Sequence, residues 1–210
     1  MGGSVSARDL EAFGSCDWGW NSPGVHLWWL CLPDGRLHIV REYKFQSQTA
    51  EQVGKQIHDT TKQLGLEKLR YIACDPAMWQ KTGAGRGESI AETLMRLKLP
   101  VRKSDNDRFL GWMRVHELLR THPDCEGPWL TVDPGCRYLI RTLPAMVQDK
   151  NDPDDLDSSK DDHAVDALRY GAMSRPRPTV FVEKKELVPN SLPWLRQQHE
   201  RAQRGSGVLA

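Results

Sequence analysis

The sequence lacks the marks of several protein classes. No apolar run approaches the roughly 18 residues that a membrane-spanning helix needs. The opening MGGSVSARDLEAF has no apolar stretch like that of a secretory leader. Gly2 and Ser6 match a loose myristoylation pattern, but a Gly-Ser start is also what a cloning vector leaves, so residues 1–11 are read as a linker or tag remnant. Cysteines occur only at positions 16, 31, 74, 125 and 136, an odd number with no CxxC spacing. That excludes a disulfide framework and a zinc knuckle, and points to a reducing compartment. Neither charge dominates: 29 basic residues stand against 28 acidic ones, so overall charge neither demands nor excludes a nucleic-acid partner. There are no internal repeats. What remains is an intracellular, soluble chain of 210 residues, long enough to bury a substantial core.

The pattern of apolar residues divides that chain into elements. Residues 12–18, AFGSCDW, form a short apolar run ending on an acid, which predicts a buried strand. Residues 25–32 and 37–45 predict two more strands, joined by Pro33-Asp34-Gly35-Arg36, where Asp-Gly between β-rich runs signals a hairpin. Thr49 is placed to cap a helix with Val53, Ile57 and Leu64 at helical spacing, and Gly65 to stop it. Residues 70–75, RYIACD, read as another buried strand ending on an acid. A glycine-rich loop over 81–88 precedes a helix over 89–97, a short strand near Val101 and a helix over 106–121. A strand over 129–132, a helix over 135–147, an acidic loop and a final helix, DDHAVDALRYGAM, complete the order. Beyond Ser174 scattered prolines and few core residues predict a tail or partner-docking arm over 175–210, polar apart from the apolar cluster Leu192-Pro193-Trp194-Leu195. Three strands followed by alternating helix and strand imply an α/β domain over 12–174, a mixed sheet flanked by helices.

The acids in this arrangement are the candidate site. Asp17 ends the first strand and Asp75 the fourth, so if those strands are neighbours their carboxylates lie side by side at one sheet edge, where open α/β sheets bind ligands. In the last helix Asp162 and Asp166 are four apart and His163 and Asp166 three apart, so all three can face one point. Ala164, Val165, Ala167, Leu168 and Ala172 give that helix a small, tight packing side. Each acid alone has an ordinary explanation, as a turn former or a helix cap. Together they repel one another unless a cation neutralises them, and clustered carboxylates suit Mg²⁺ or Mn²⁺. Two such ions about 3.5–4 Å apart would serve an in-line phosphoryl displacement. His163 would ligate one of them or orient the attacking water as general base.

The blocks SCDWGWNSPGVHLWWL, YIACDPAMW, KSDNDRFLGWMRVHELL, LTVDPGCRYLIRTL and KDDHAVDALRYG resemble, in this order, the C-terminal nuclease half of the large terminase subunits of tailed bacteriophages. The resemblance covers residues 13–173, and its last block is the most specific. It implies an RNase H-like fold, related to integrases and resolvases, and an endonuclease that cuts concatemeric viral DNA during packaging, with divalent metal as cofactor. Carried over by position, Asp17 is the first-strand acid, Asp75 the second-strand acid and Asp166 the helix-borne acid, with His163 and Asp162 accessory and Asp161 a cap. The family's ATPase motor carries a G-x-x-x-x-G-K-[ST] loop; TGAGRGES has the glycines without the Lys-Ser/Thr. The chain is thus expected to be an isolated nuclease domain without ATPase activity of its own.

Basic residues crowd positions 81–120. Lys81 and Arg86 in the glycine-rich loop, and Arg102, Lys103 and Arg108 around Ser104-Asp105-Asn106, are the candidates for holding a DNA backbone. Arg96, Arg114 and Arg120 fit a solvated helix face better. No base-reading motif is present, so little sequence preference is expected. The resemblance further implies double-stranded DNA, the ATPase domain, the portal and the small terminase subunit as partners, in the cytoplasm of an infected bacterium and with no membrane. A junction-resolving nuclease of the same fold, and a non-catalytic DNA-binding module of the packaging motor, remain as alternatives.

Overall fold

The computed structural model describes residues 10–81, 87–121, 127–147 and 161–175. Its centre is a six-stranded mixed sheet in the order β5-β4-β1-β2-β3-β6. Strands β1 (Glu11–Asp17), β2 (Gly24–Cys31) and β3 (Leu37–Phe45) form an antiparallel meander. Strands β4 (Ile72–Cys74), β5 (Val101–Lys103) and β6 (Leu130–Val132) join it in parallel, β4 on β1 and β6 on β3. The β2–β3 turn forms as its Asp-Gly pair predicts: Gly35 takes φ 87° and Leu32 N–H donates to the Arg36 carbonyl at 2.8 Å. The mixed sheet flanked by helices matches the expected architecture.

Period-two alternation assigns the strands' residues to two layers. On one face Phe13, Val25, Leu27, Trp29 and Ile39 pack beneath helices α3 (Arg108–Leu119), α4 (Arg137–Thr142) and α5 (His163–Met173). On the other, Cys16, Trp28, Leu30, Ile72 and Cys74 pack beneath α1 (Ala50–Gln63) and α2 (Ile90–Arg96). Both α1 and α2 open with capping boxes, Thr49 with Gln52 and Ser89 with Glu92, which satisfy N–H groups the helix itself cannot. The paired tryptophans of β2 are core residues. Trp28 Nε1 donates to Thr61 at 3.0 Å and Trp29 Nε1 to Ser15 at 2.9 Å, so neither indole carries an unmet donor into the interior. Trp20, in the β1–β2 connection, is half exposed.

Two elements differ from the sequence-based expectation. The helix over 135–147 is cut short: α4 ends at Thr142 and a 3-10 turn, Leu143–Ala145, follows, because Pro144 cannot donate the next helical hydrogen bond. The helix expected from Asn106 starts two residues later. Asp107 caps it instead, accepting from Leu110 N–H at 2.9 Å, which leaves Asn106 outside the helix and able to serve α5. At the opposite end of β1 from Asp17, Glu11 pairs with Arg70 at 2.8 Å and with Arg175, just past α5.

His26 on β2 is wholly buried, its ring edge-on to Trp28 and neither ring nitrogen bonded to a protein group among the described residues. Burial drives its pKa from the ordinary 6.5 to about 3. The unfolded chain therefore binds this proton across a range where the folded chain does not, and stability present above about pH 6.5 is lost as the pH falls toward 3. The expected slope from this one group is about 1.4 kcal/mol per pH unit. Urea titrations of wild type and His26→Leu at a series of pH values check it. The variant's acid limb is expected to be shallower by one proton, and parallel limbs would refute the assignment.

Candidate active site

Strand pairing places the first two acids. Cys16 of β1 and Cys74 of β4 are register partners, so the next residues, Asp17 and Asp75, emerge together at the C-terminal edge of two neighbouring parallel strands. The backbone closes this corner, Asp75 N–H donating to the Cys16 carbonyl at 3.2 Å. Alternation turns both acids to the α5 face, with the thiols of Cys16 and Cys74 on the other. Asp75 has a local duty as well: it caps a 3-10 turn, Pro76–Trp79, accepting from Ala77 N–H at 2.8 Å.

Helix α5 brings the remaining groups over this edge. It packs against β1 and β2 through Ala164, Val165, Ala167, Leu168 and Ala172, all fully buried. Gly171 brings it closest: a Cβ there would lie 2.3 Å from Trp29 Cζ2. His163 opens the helix, and its Nδ1 meets Asp17 Oδ2 at 2.9 Å. Asp162 stands at the N-cap position yet makes no capping hydrogen bond, so its carboxylate is not spent on the helix end. Asp161, expected as a cap, instead accepts from Tyr138 Oη and pairs with Arg141 at 3.5 Å, tying the helix start to α4.

The electrostatics follow from burial. Asp17 is 6% exposed, and burial lifts its carboxyl to about 6 even though His163 pulls it down; the charges of Asp166 and Asp75 push it further up. Burial also raises Asp162, with Asp166 adding to the effect. His163 moves up from 6.5 because the imidazolium is favoured by its hydrogen bond to Asp17. Asp17 and Asp162 are thus short of compensating positive charge.

Asp166 is the exception. Its Oδ1 accepts from Arg169 Nε at 3.0 Å and its Oδ2 lies 3.5 Å from Arg108 Nη1. Arg169 also donates to Asn106 Oδ1 at 3.1 Å, and Tyr170 Oη meets the same oxygen at 3.3 Å. Neither Arg169 nor Asn106 is among the residues the sequence singles out. The local signals were the i,i+3 spacing from Asp166 to Arg169 and a glycine, Gly111, inside an apolar helix.

The basic candidates separate by position. Arg108 joins the acids. Lys103 stands 5.6 Å from the Trp79 ring, beside the turn that Asp75 caps, and Lys81 is exposed just beyond that turn. Arg102 is directed elsewhere: its guanidinium lies 3.3 Å from the Tyr71 ring centroid and donates to the Ser174 carbonyl at 2.9 Å, at the far end of α5. Arg86 lies outside the described residues. Arg96 belongs to a surface network, bonded to Glu51 and Glu88 at 3.0 Å each.

Among the described residues no three acid, imidazole or thiol groups converge on a single ion-sized point as the side chains stand. The donor set still fits a hard divalent cation: oxygens on β1, β4 and α5, one of them on a carboxyl raised by burial and like charge. The partners of these acids, His163 on Asp17 and Arg169 and Arg108 on Asp166, are themselves cations or can become so.

Comparison with known proteins identifies the fold and the family. A family model described as the terminase RNaseH-like domain matches residues 14–175. Among solved structures the fold is similar to the nuclease domain of the P22 large terminase, with TM-score 0.62, 18% identity and coverage of 84% of this chain and 87% of that one. It is also similar to the large terminase of a thermophilic bacteriophage, with TM-score 0.60, 18% identity and coverage of 78% and 39%. For the large terminase of bacteriophage HK97 the values are 0.55, 11%, 79% and 40%. The chain thus spans about two fifths of the length of those last two terminases. No curated protein matches its sequence. On the strength of the family match over residues 14–175, the chain belongs to the terminase RNaseH-like domain family.

Proposed function

We propose that this chain is a divalent-metal-dependent DNA endonuclease that cuts concatemeric viral DNA during genome packaging. The observation that carries the reading is that Asp17 on β1, Asp75 just past β4 and Asp166 on α5 lie near enough for the charges of the last two to act on Asp17, whose buried carboxyl is lifted to about 6. An uncompensated carboxylate in that position is stabilised by a metal ion far more than by water. Asp17, Asp75, Asp166 and Asp162 would hold Mg²⁺ or Mn²⁺, ions of the class such oxygens prefer. A pair of such ions, when bound, supplies positive charge to both the entering and the leaving oxygen of an in-line displacement.

The chain's own residues do the rest. In the reaction a water oxygen bonds to phosphorus, the P–O bond to the leaving sugar breaks, and the water's proton needs an acceptor. With Nδ1 on Asp17, His163 is oriented by a carboxylate and keeps Nε2 for that proton. Lys81, Lys103 and Arg108 lie at the edge where a phosphate backbone would approach, and Arg86 is a further candidate there. Because these groups address phosphate and no motif reads bases, cutting has little sequence preference. Double-stranded DNA is the substrate, and the packaging ATPase, portal and small terminase subunit are the partners. The setting is the infected bacterium's cytoplasm; residues 176–210, read from the sequence as a docking arm, lie outside the described residues.

Cleavage of supercoiled plasmid in Mn²⁺, Mg²⁺ or EDTA tests this, with Asp166→Asn as comparison. Wild type is expected to nick and linearise only with metal, and the variant to lose about a hundred- to a thousandfold in rate, the scale of a lost charge-stabilising group. Equal activity in both would place the chemistry elsewhere. DNA bound but uncut by either would favour the non-catalytic packaging module, and strong preference for four-way junctions a resolvase.

A further inference from the structure

The basic residues that the sequence singles out lie between positions 81 and 120, and the fold places a second basic group on the other side of the acids. Lys44 of β3 pairs with Val25 of β2, and Val25 pairs with Asp17 of β1. Directly opposed residues of neighbouring strands share one face of the sheet. Lys44 and Asp17 therefore stand on the same face, two strand spacings or roughly 10 Å apart. Helix α4 closes over this row. Lys44 Nζ lies 4.1 Å from the Tyr138 ring centroid, and the Arg141 guanidinium lies 5.4 Å from the same centroid. Arg137 precedes Arg141 by one turn of α4, and all three cations are exposed.

The acids of the chain match these charges poorly. Glu42, on the same strand as Lys44, spends its carboxylate on α4, accepting from Tyr138 N–H at 2.6 Å and from Leu139 N–H at 2.9 Å. Asp161 lies 3.5 Å from Arg141, whose side chain is 69% exposed, and a pair so open to water is weak. Among the described residues Lys44 and Arg137 have no carboxylate within ion-pair distance. Arg137 and Arg141, four apart on one helix, repel each other. The Tyr138 ring holds the Lys44 ammonium in place without neutralising it. Packing does not require these charges, because Ile39, Tyr138 and Leu139 already join β3 to α4 in the core.

We propose that Lys44, Arg137 and Arg141 hold the DNA phosphate backbone on the β3 side of the acids. The inference rests on the DNA-cleaving function proposed above. In the order of the sheet, Asp17 and Asp75 then lie between Lys103 of β5 and Lys44 of β3. The strand to be cut is thus held on both sides of the reacting phosphate. A backbone along this row carries a charge about every 3.4 Å, which places Lys44 about three phosphates from the one over Asp17. Contacts of this kind fix position and read no bases.

Fluorescence anisotropy of a labelled duplex in EDTA, over about 50–200 mM salt, tests the assignment, with folding of every variant checked by near-UV circular dichroism. Each lost phosphate contact lowers the slope of log affinity against log salt by about 0.9. Lys44→Gln is expected to show that shift, the double variant Lys44→Gln with Arg141→Gln a shift of about 1.8, and Lys44→Arg none. The loss is expected to be the same for duplexes of unrelated sequence. Lys68, exposed ahead of β4 at the opposite edge of the sheet, serves as control, and Lys68→Gln is expected to keep the wild-type slope. A double variant with the wild-type slope overturns the inference; where Lys103→Gln still lowers the slope, the DNA-cleaving function stands. A shift in Lys68→Gln as large as that in Lys44→Gln also overturns it, since the effect is then one of overall charge. Wild type without salt-dependent DNA binding overturns the proposed function and this inference with it.

Discussion

Asp17→Asn is expected to produce a protein that no longer cuts DNA and yet resists urea better than the wild type in EDTA at neutral pH. Both effects come from the same burial. An acid that ionises near 3.9 in the unfolded chain ionises at about 6 in the folded one, so the folded state holds this proton more strongly. The associated stability is fully present below about pH 3.9 and is lost as the pH rises through about 6. At pH 7.5 the folded chain carries an ionised Asp17 at a penalty of up to about 3 kcal/mol, the equivalent of two pKa units. A neutral amide removes that penalty. Its nitrogen also competes poorly as a metal ligand, so a gain of about 2 kcal/mol should accompany the lost cleavage. Near pH 4 the gain should vanish, because wild-type Asp17 is then protonated as well. Urea unfolding at pH 4 and 7.5, followed by plasmid cleavage, checks all three statements. A variant less stable than wild type at pH 7.5 would mean that the carboxylate is already well compensated.

Gly171→Ala sets two known tendencies against each other. In an ordinary helix interior the change favours folding by about 1 kcal/mol, since glycine loses more backbone freedom than alanine. Here the new methyl group would meet Trp29 Cζ2 at 2.3 Å and Cε2 at 2.5 Å, and the indole is fully buried and fixed by its bond to Ser15. Overpacking of this kind costs about 1–3 kcal/mol, so the second effect wins and the variant is less stable. The displacement does not stop at Gly171. Helix α5 is the carrier of Asp162, His163 and Asp166, and a shift of about 1 Å in such groups costs on the order of a hundredfold in rate. The variant should therefore lose cleavage although no acid has been touched. Trp29→Phe in the same chain shrinks the obstructing ring and should return part of both losses. Stability at or above the wild-type level in Gly171→Ala alone would refute the close-packing account.

The first strands and their acids were legible because the signals are local. An Asp-Gly turn, period-two alternation and an acid ending an apolar run each require only neighbouring residues, and parallel pairing of β1 with β4 then brings Asp17 beside Asp75. The hold on Asp166 was not legible in the same way. Arg169 is buried because Gly111, far earlier in the chain, leaves room for its stem, and Asn106, which lies outside α3, accepts from its guanidinium. Arg102 shows the converse. Its place beside the loop at 104–106 suggested the acidic edge, but α5 runs antiparallel to β1, and at the level of Arg102 the sheet meets the helix's last turn. Pro144, by contrast, carried its own warning in the helix it cut short.

The ion pairs of Glu11 have a mechanical consequence. Arg175 and Arg70 both fasten to the residue that opens β1, while Asp17 closes the same strand. An extended chain of about six residues, roughly 20 Å, separates that anchorage from the acids. A pull between residues 10 and 175 is therefore taken first by the contacts of Glu11 and peels the domain from that end. The carboxylates of Asp17 and Asp166 lie toward the other end of β1 and α5, so a load taken at Glu11 reaches them last.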